Sequence, residues 1–395
     1  MKKLVFWSLL LMSAPLAAQD AAETPASTEA VAPAEVTAPA EVAAPAEVPV
    51  PVEAVPETAP LTQAELFASL PDFCQTPDSF TLAPWGDVLL SCPNYADPTH
   101  PPVIVRIAPD NQIRLWAMCP VNSKTGNAGP MGMSFGPDGN LYISDNAGWS
   151  GNGQMGRILR LIVNENHRPV ACEIVAYDFA HPNGLRVQGD YIYVTHSLLD
   201  KSEDDGKQLS GVFRLPLNAK NVKIDNSVKD PHLIAVVKTE NPDCQYGLNG
   251  LCFDKDGNLY VGNFGDGTIL KITFDENGTA SEPILYAQGP EMLSNDGMVM
   301  GDDGVLYVCD FTQNAILAVL PDGKIVILAK NGDTDGNDGL LDEPGDLFKR
   351  GSELLIANFD NVPGPPYVNT KHDGPATISI INLDGIPLPN ESTDK

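Results

Sequence analysis

Asp78, Asn183, Asn249 and Asp296 hold one and the same place in a unit that this chain repeats six times between Asp78 and Asp346. Aligned on their turns, the six copies put Asp78, Met131, Asn183, Asn249, Asp296 and Pro344 just ahead of an apolar strand. Two carboxylates and two amide carbonyls are hard oxygen donors with a charge of −2, a set suited to Ca²⁺ and one that leaves room for water or substrate in its shell. The lack of His and Cys at these places speaks against dedicated zinc. Asn-Gly and Asp-Gly ahead of a strand are also ordinary turn chemistry, with the side chain capping its own backbone. On spacing alone both readings stand.

The elements that would position this ring are hairpins. Gly132–Ile143, Asn249–Val261 and Asp296–Val308 each run strand, Asp-Gly turn, strand. The turn reads as a tight one with positive φ at both central positions. A hairpin recurring every 47 to 66 residues implies radial repetition, hence an all-β, six-bladed β-propeller of four-stranded blades. Inner strands are expected near 80–83 and 88–91, 133–136 and 141–144, 185–188 and 191–196, 251–254 and 259–263, 298–301 and 306–310, and 346–349 and 353–358. Two outer strands follow in five blades. The sixth lacks an obvious fourth strand, so residues 61–73 should fill that gap and close the ring. In a propeller the innermost strands line the central channel, which sets the four donors around one channel mouth.

Three segments, Pro182-Asn-Gly-Leu185, Leu248-Asn-Gly-Leu251 and Asn295-Asp-Gly-Met298, resemble the signature segments of the senescence-marker-protein/gluconolactonase family of regucalcin-like proteins. The family is a six-bladed propeller, related in architecture to diisopropyl fluorophosphatase and the paraoxonases. The resemblance implies one divalent cation, often calcium, with ligands from the first, third, fourth and fifth blades: here Asp78, Asn183, Asn249 and Asp296. Blades two and six give no ligand in the family, and here they carry Met131 and Pro344. It also implies metal-dependent hydrolysis of a lactone or related ester, with Asp296 as ligand and base. One departure stands out. The family has Glu in a Glu-x-Pro-x-Trp-like segment where this chain reads Pro77-Asp78-Ser79-Phe80, so the carboxylate is one methylene shorter. The Asp-Gly-Asn-Leu-Tyr hairpins also resemble NHL repeats. A non-catalytic propeller that binds a protein or glycan and keeps the metal as structure is therefore the competing reading.

His181 and His196 flank the third-blade hairpin, and either could serve as a second general base. Asn263, Asn295, Asp310 and Asn358 fall at or near the ends of second strands, where they could orient substrate or satisfy loop backbone. Asp333-Thr-Asp-Gly-Asn337 opens like an EF-hand loop, but Asp338 and Pro344 replace the required Gly and Glu, so it reads as an acidic connection. Tyr142, Tyr193, Tyr260 and Tyr307 repeat in second strands and read as packing between blades.

Residues 1–18 have a charged start, a short apolar run and small residues at a cleavage site, the pattern of a secretory leader. Residues 19–60 are almost all Ala, Pro, Glu, Val and Thr, an extended spacer. The propeller should occupy 61–395, in the periplasm or outside the cell. The formal charge is −28. Residues 1–18 hold +2 and residues 19–60 hold −8, leaving −22 for the rest. Such a surface repels phosphate backbones and speaks against nucleic acid and anionic membranes as partners. No later apolar run is long enough to span a bilayer. None of the seven cysteines forms a Cys-x-x-Cys pair. Cys74 and Cys92 are a candidate local disulfide, and Cys252 and Cys309 read as small buried hydrophobes.

Overall fold

A computed structural model describes residues 60–388 apart from 148–152, 362, 363 and 365. The leader, the spacer and most of the 148–156 connection lie outside the described residues. Among the described residues there is no helix, and so none long and apolar enough to cross a membrane.

Twenty-five strands form six small sheets arranged as the blades of a propeller. Strand β1 (Glu65–Ser69) comes first in the chain and lies in the last blade. Blade one holds β2 (Phe80–Leu82), β3 (Val88–Cys92), β4 (Val103–Ile107) and β5 (Ile113–Met118). Blade two holds β6 (Pro130–Phe135), β7 (Leu141–Asp145), β8 (Gly156–Val163) and β9 (Pro169–Phe179). Blade three has β10 (Pro182–Gln188), β11 (Tyr191–His196) and β12 (Leu209–Pro216). The chain then sends β13 (Val222–Lys223) back to pair in parallel with β9, and completes blade three with β14 (Leu233–Lys238). Blade four holds β15 (Leu248–Phe253), β16 (Leu259–Asn263), β17 (Thr268–Ile272) and β18 (Ile284–Gln288). Blade five holds β19 (Met298–Met300), β20 (Leu306–Asp310), β21 (Ala315–Val319) and β22 (Ile325–Lys330). Blade six has β23 (Pro344–Arg350), β24 (Glu353–Asn358) and β25 (Thr377–Asn382), and β1 supplies its outer strand, antiparallel to β25. The six-bladed architecture and its closure by the N-terminal segment are as expected. The two-residue parallel addition of β13 is new, and two residues offer no alternation by which to find it.

One expectation about the turns is corrected. Gly139, Gly257 and Gly304 adopt positive φ, but Asp138, Asp256 and Asp303 do not. In blade four the Gly257 amide bonds the Asp254 carbonyl (3.1 Å) and the Asp254 amide bonds the Asn258 carbonyl (3.0 Å). This is a longer loop with a single left-handed glycine, whose preceding Asp needs no unusual φ.

Apolar residues do not gather in one core. Among the described residues six clusters lie between neighbouring blades, with Tyr142, Tyr193, Tyr260 and Tyr307 each in a different one, and a seventh, of Phe264, Phe311 and Phe359, lies at the channel mouth. Packing face to face around a circle lets a chain this long stay stable without a single oversized core. Cys252 and Cys309 are buried in two of these clusters, as expected. Cys74 and Cys92 are neighbours in the cluster between blades six and one, where both stand as free thiols.

Candidate metal centre at the channel mouth

The inner strands do more than line the channel. In β6, β10, β15 and β23 the pairing register slips between Pro130 and Met133, Pro182 and Leu185, Leu248 and Leu251, and Pro344 and Asp346. A slip of this kind is a bulge, which bends the strand and re-aims a side chain. In blades one and five backbone bonds keep the corresponding residues in place: the Asp78 amide to the Ser91 carbonyl and the Asp296 amide to the Cys309 carbonyl, both 2.8 Å. The glycine that follows Asn183, Asn249 and Asp296 has a separate job. A Cβ on Gly250 would lie 2.0 Å from the Asp296 carbonyl oxygen, and one on Gly297 would lie 2.1 Å from Asp346 Oδ1. Neither glycine has positive φ. These Asn-Gly and Asp-Gly pairs are therefore contact points where one blade's backbone touches the next, rather than capped turns.

Asp78, Asn183, Asn249 and Asp296 all line the same two stacked cavities. Below them the channel narrows to about 20 Å³ between glycine backbones, Arg186 and Asp346, room for about one water. Above them is a chamber of about 110 Å³ walled by Met131, Tyr246, Phe264, Phe311, Phe359 and Tyr367. Burial pushes the Asp78 carboxyl well above the usual carboxylate range, and Asp346 adds to the push. Asp296 is driven up by burial and by Asp78, Asp346 and Glu343. Two carboxylates are thus crowded at the mouth with no basic side chain among the residues of the chamber. A divalent cation would relieve that repulsion, so the donor set fits one. Among the described residues no group of three or more His, Cys, Asp or Glu is placed to hold a metal, which restricts a cation here to the mixed carboxylate and amide set.

Asn183 is held in orientation from behind. Its Nδ2 donates to the Tyr246 hydroxyl at 2.9 Å, and that hydroxyl lies 2.7 Å from His181 Nε2. Burial lowers His181 to a pKa of about 3, so the ring is neutral and can accept the tyrosine proton. The Asn183 carbonyl oxygen is then left for the channel. His181 is not among the residues lining the chamber and bonds Tyr246, which is. His196 is fully buried away from it, with Nε2 2.6 Å from Asn226 Oδ1 and its ring against Phe179 and Phe213. The strand-end polar residues serve the loops. Asn295 Nδ2 donates to the carbonyls of Asn263 and Thr268, Asn263 pairs with Thr239 and Asp266, Asp310 accepts from Leu293 and Ser294, and Asn358 bonds Thr377 and Ser379.

Sequence reasoning missed the aromatic walls. Part of the signal was present: Asn263-Phe264, Asp310-Phe311 and Asn358-Phe359 put Phe at the same step after the second strand of three successive blades. Tyr246 and Tyr367 come from irregular connections and have no such periodic mark.

Residues 201–330 match the model of the SMP-30/gluconolactonase/LRE-like region. The match covers 130 of the chain's 395 residues. That SMP-30/gluconolactonase-like stretch runs from just before β12 through β22 and includes Asn249 and Asp296, so the resemblance seen in the signature segments holds there. No curated protein sequence matches the chain. A luciferin-regenerating enzyme superposes with a TM-score of 0.52 at 12% identity, over 81% of this chain and 95% of its own. A glucose dehydrogenase-type oxidoreductase of Thermus thermophilus does so at 0.52 and 14%, over 81% and 99%. A gluconolactonase of Xanthomonas campestris gives 0.48 and 14%, over 81% and 94%. At such identities the likeness speaks for the propeller alone, which hosts more than one chemistry.

Proposed function

We propose that this protein is a metal-dependent hydrolase of a lactone or related ester, with the cation, calcium by its donor type, held by Asp78, Asn183, Asn249 and Asp296. The observation that supports it is the stacking of an oxygen-donor ring directly beneath a chamber walled by aromatic side chains. A non-catalytic propeller with a structural ion needs no such chamber over open coordination sites. When bound, the cation would polarise a substrate carbonyl and stabilise the developing oxyanion. The chain's own residues supply the rest. Phe264, Phe311 and Phe359 exclude water from the reacting group and offer apolar faces to the body of the substrate. Asp296 takes the proton of the attacking water, aided by the carboxylates that raise its basicity. Tyr246, held between His181 and Asn183, fixes the amide donor and can present its hydroxyl to the chamber. Read with the leader at residues 1–18, the reaction takes place outside the cytoplasm.

Calcium titration by calorimetry of wild type and Asp296→Asn, with γ- and δ-lactone hydrolysis followed on the same samples, tests this. Wild type should bind and turn over, and the variant should lose at least about 100-fold in turnover, as when one key electrostatic group is removed. Binding without any turnover in wild type would overturn the enzyme reading.

A further inference from the structure

Beside the ring, at the foot of blade six, three buried oxygens have no partner among the described groups: Asp342 Oδ1, Glu343 Oε1 and Asn369 Oδ1. Their residues are 2%, 0% and 1% exposed. A buried carboxylate oxygen without a donor costs free energy unless it is protonated or neutralised. The surrounding bonds show how these atoms come to be left over. The Asn361 amide donates to Glu343 Oε2 (2.7 Å), which leaves Oε1. Asn369 Nδ2 donates to the Asn361 carbonyl (3.1 Å) and to Asp360 Oδ1 (3.4 Å). The backbone of the turn is already satisfied, with the Asp342 amide on Asn358 Oδ1 and the Glu343 amide on Asn314 Oδ1. Asp360 itself is engaged, by His372 at 3.0 Å and by the Asp373 amide.

The charge around this point is one-sided. Asp360, Asp373, Asp333 and Asp335 all act on Asp342, and Asp360 and Asp342 act on Glu343. Burial and these neighbours push Asp342 up to about 8 and Glu343 up to about 9. The basic groups nearby are His372, taken by Asp360, and Lys371, which acts on Asp335. The EF-hand-like spacing at Asp333–Asn337 is not the ligand set. Asp333 caps the backbone and hydroxyl of Thr370, and Asp335 caps the Asn337 amide. These caps tie the acidic loop to the segment that bears Asn369.

We propose that a second divalent cation, of calcium type, binds here, held by Asp342, Glu343 and Asn369 and joining the 342–343 turn to the strand-free segment before β25. Two carboxylates and one amide oxygen leave several places for water, as calcium accepts. The ion is distinct from the one in the ring, which draws on blades one, three, four and five. Its place next to Glu343, whose charge acts on Asp296, couples its binding to the ring electrostatically.

Calcium bound per full-length chain, counted by equilibrium dialysis and atomic emission, tests the proposal. Wild type should hold two ions, Asp296→Asn one, Asp342→Asn one, and the double variant none. In Asp296→Asn, calcium should still raise Tm by several degrees, and adding Asn369→Ala should remove that rise. Asn369→Ala leaves Asp360 its bonds from His372 and the Asp373 amide and serves as the readout if Asp342→Asn does not fold. An ion count in Asp342→Asn and Asn369→Ala equal to that of wild type would overturn the proposal. So would an Asp296→Asn protein whose Tm ignores calcium. A count lowered by Asp342→Asn but not by Asp296→Asn would support this site while removing the ring assignment.

Discussion

In blades four and five the two ends of the inner hairpin use an Asx-Gly pair for opposite purposes. At the channel mouth, Asn249-Gly250 and Asp296-Gly297 put a donor into the cavity, and the glycine lets the next blade's backbone come within contact. At the far end, Lys255-Asp256-Gly257 and Asp302-Asp303-Gly304 turn the chain in solvent. There the glycine adopts positive φ, and Asp254 or Asp303 bonds backbone amides of its own loop. Nothing lies within 4 Å of a Cβ added to Gly257, whereas one added to Gly250 would meet a backbone oxygen at 2.0 Å. An Asx-Gly pair has no fixed meaning: what it does depends on whether a neighbouring blade closes over it.

Breaking that contrast with alanine should give the largest effect. Gly250→Ala should cost about 3 kcal/mol or more, because the clash is with backbone that cannot move aside. Gly257→Ala meets only the left-handed penalty of about 1–2 kcal/mol. Paired thermal denaturation checks this, and equal losses would dissolve the distinction.

Burial at the mouth end should also set the pH response. Burial lowers His196 to about 4 from the ordinary 6.5. Between those values the unfolded chain binds the proton and the folded one does not, so stability rises as pH rises from 4 to 6.5. The His196 contribution lost on acidification is on the order of 3 kcal/mol. Denaturant unfolding at pH 4.5 and 7 should show His196→Gln with a smaller loss than wild type. An unchanged loss would place the proton elsewhere.

The smallest effects separate the carboxylates of the two ends. In chelator at pH 7, Asp296→Asn should be about 1 kcal/mol more stable than wild type, since it removes one of two crowded charges, and the order should reverse in calcium. Asp254→Ala, which removes caps to the Asp256 and Asn258 amides, should cost about 1 kcal/mol in both media.

Much of this was legible beforehand. Strict alternation with Asp-Gly punctuation located nearly every strand, because hairpin pairing is local and each blade is one contiguous piece of chain apart from β1 and β13. The closing strand was inferred from the missing fourth strand of blade six. The four donors were found by the same repetition, since radial symmetry turns equal sequence positions into one ring. His196 illustrates the limit: its place at a strand end gave no hint that Asn226, 30 residues on, and two phenylalanines would enclose it.

The sequence alone determined the blade count, the order of the antiparallel strands and which residues share the channel mouth, because these follow from short-range pattern repeated at a regular interval. Tertiary structure alone decided that aromatic rings from four separate connections roof the donors, and that Tyr246 links His181 to Asn183. It also decided that Asp342, Glu343 and Asn369 lose their water together. Desolvation and charge crowding depend on what every other blade brings to the same point, and no local window of sequence contains that sum.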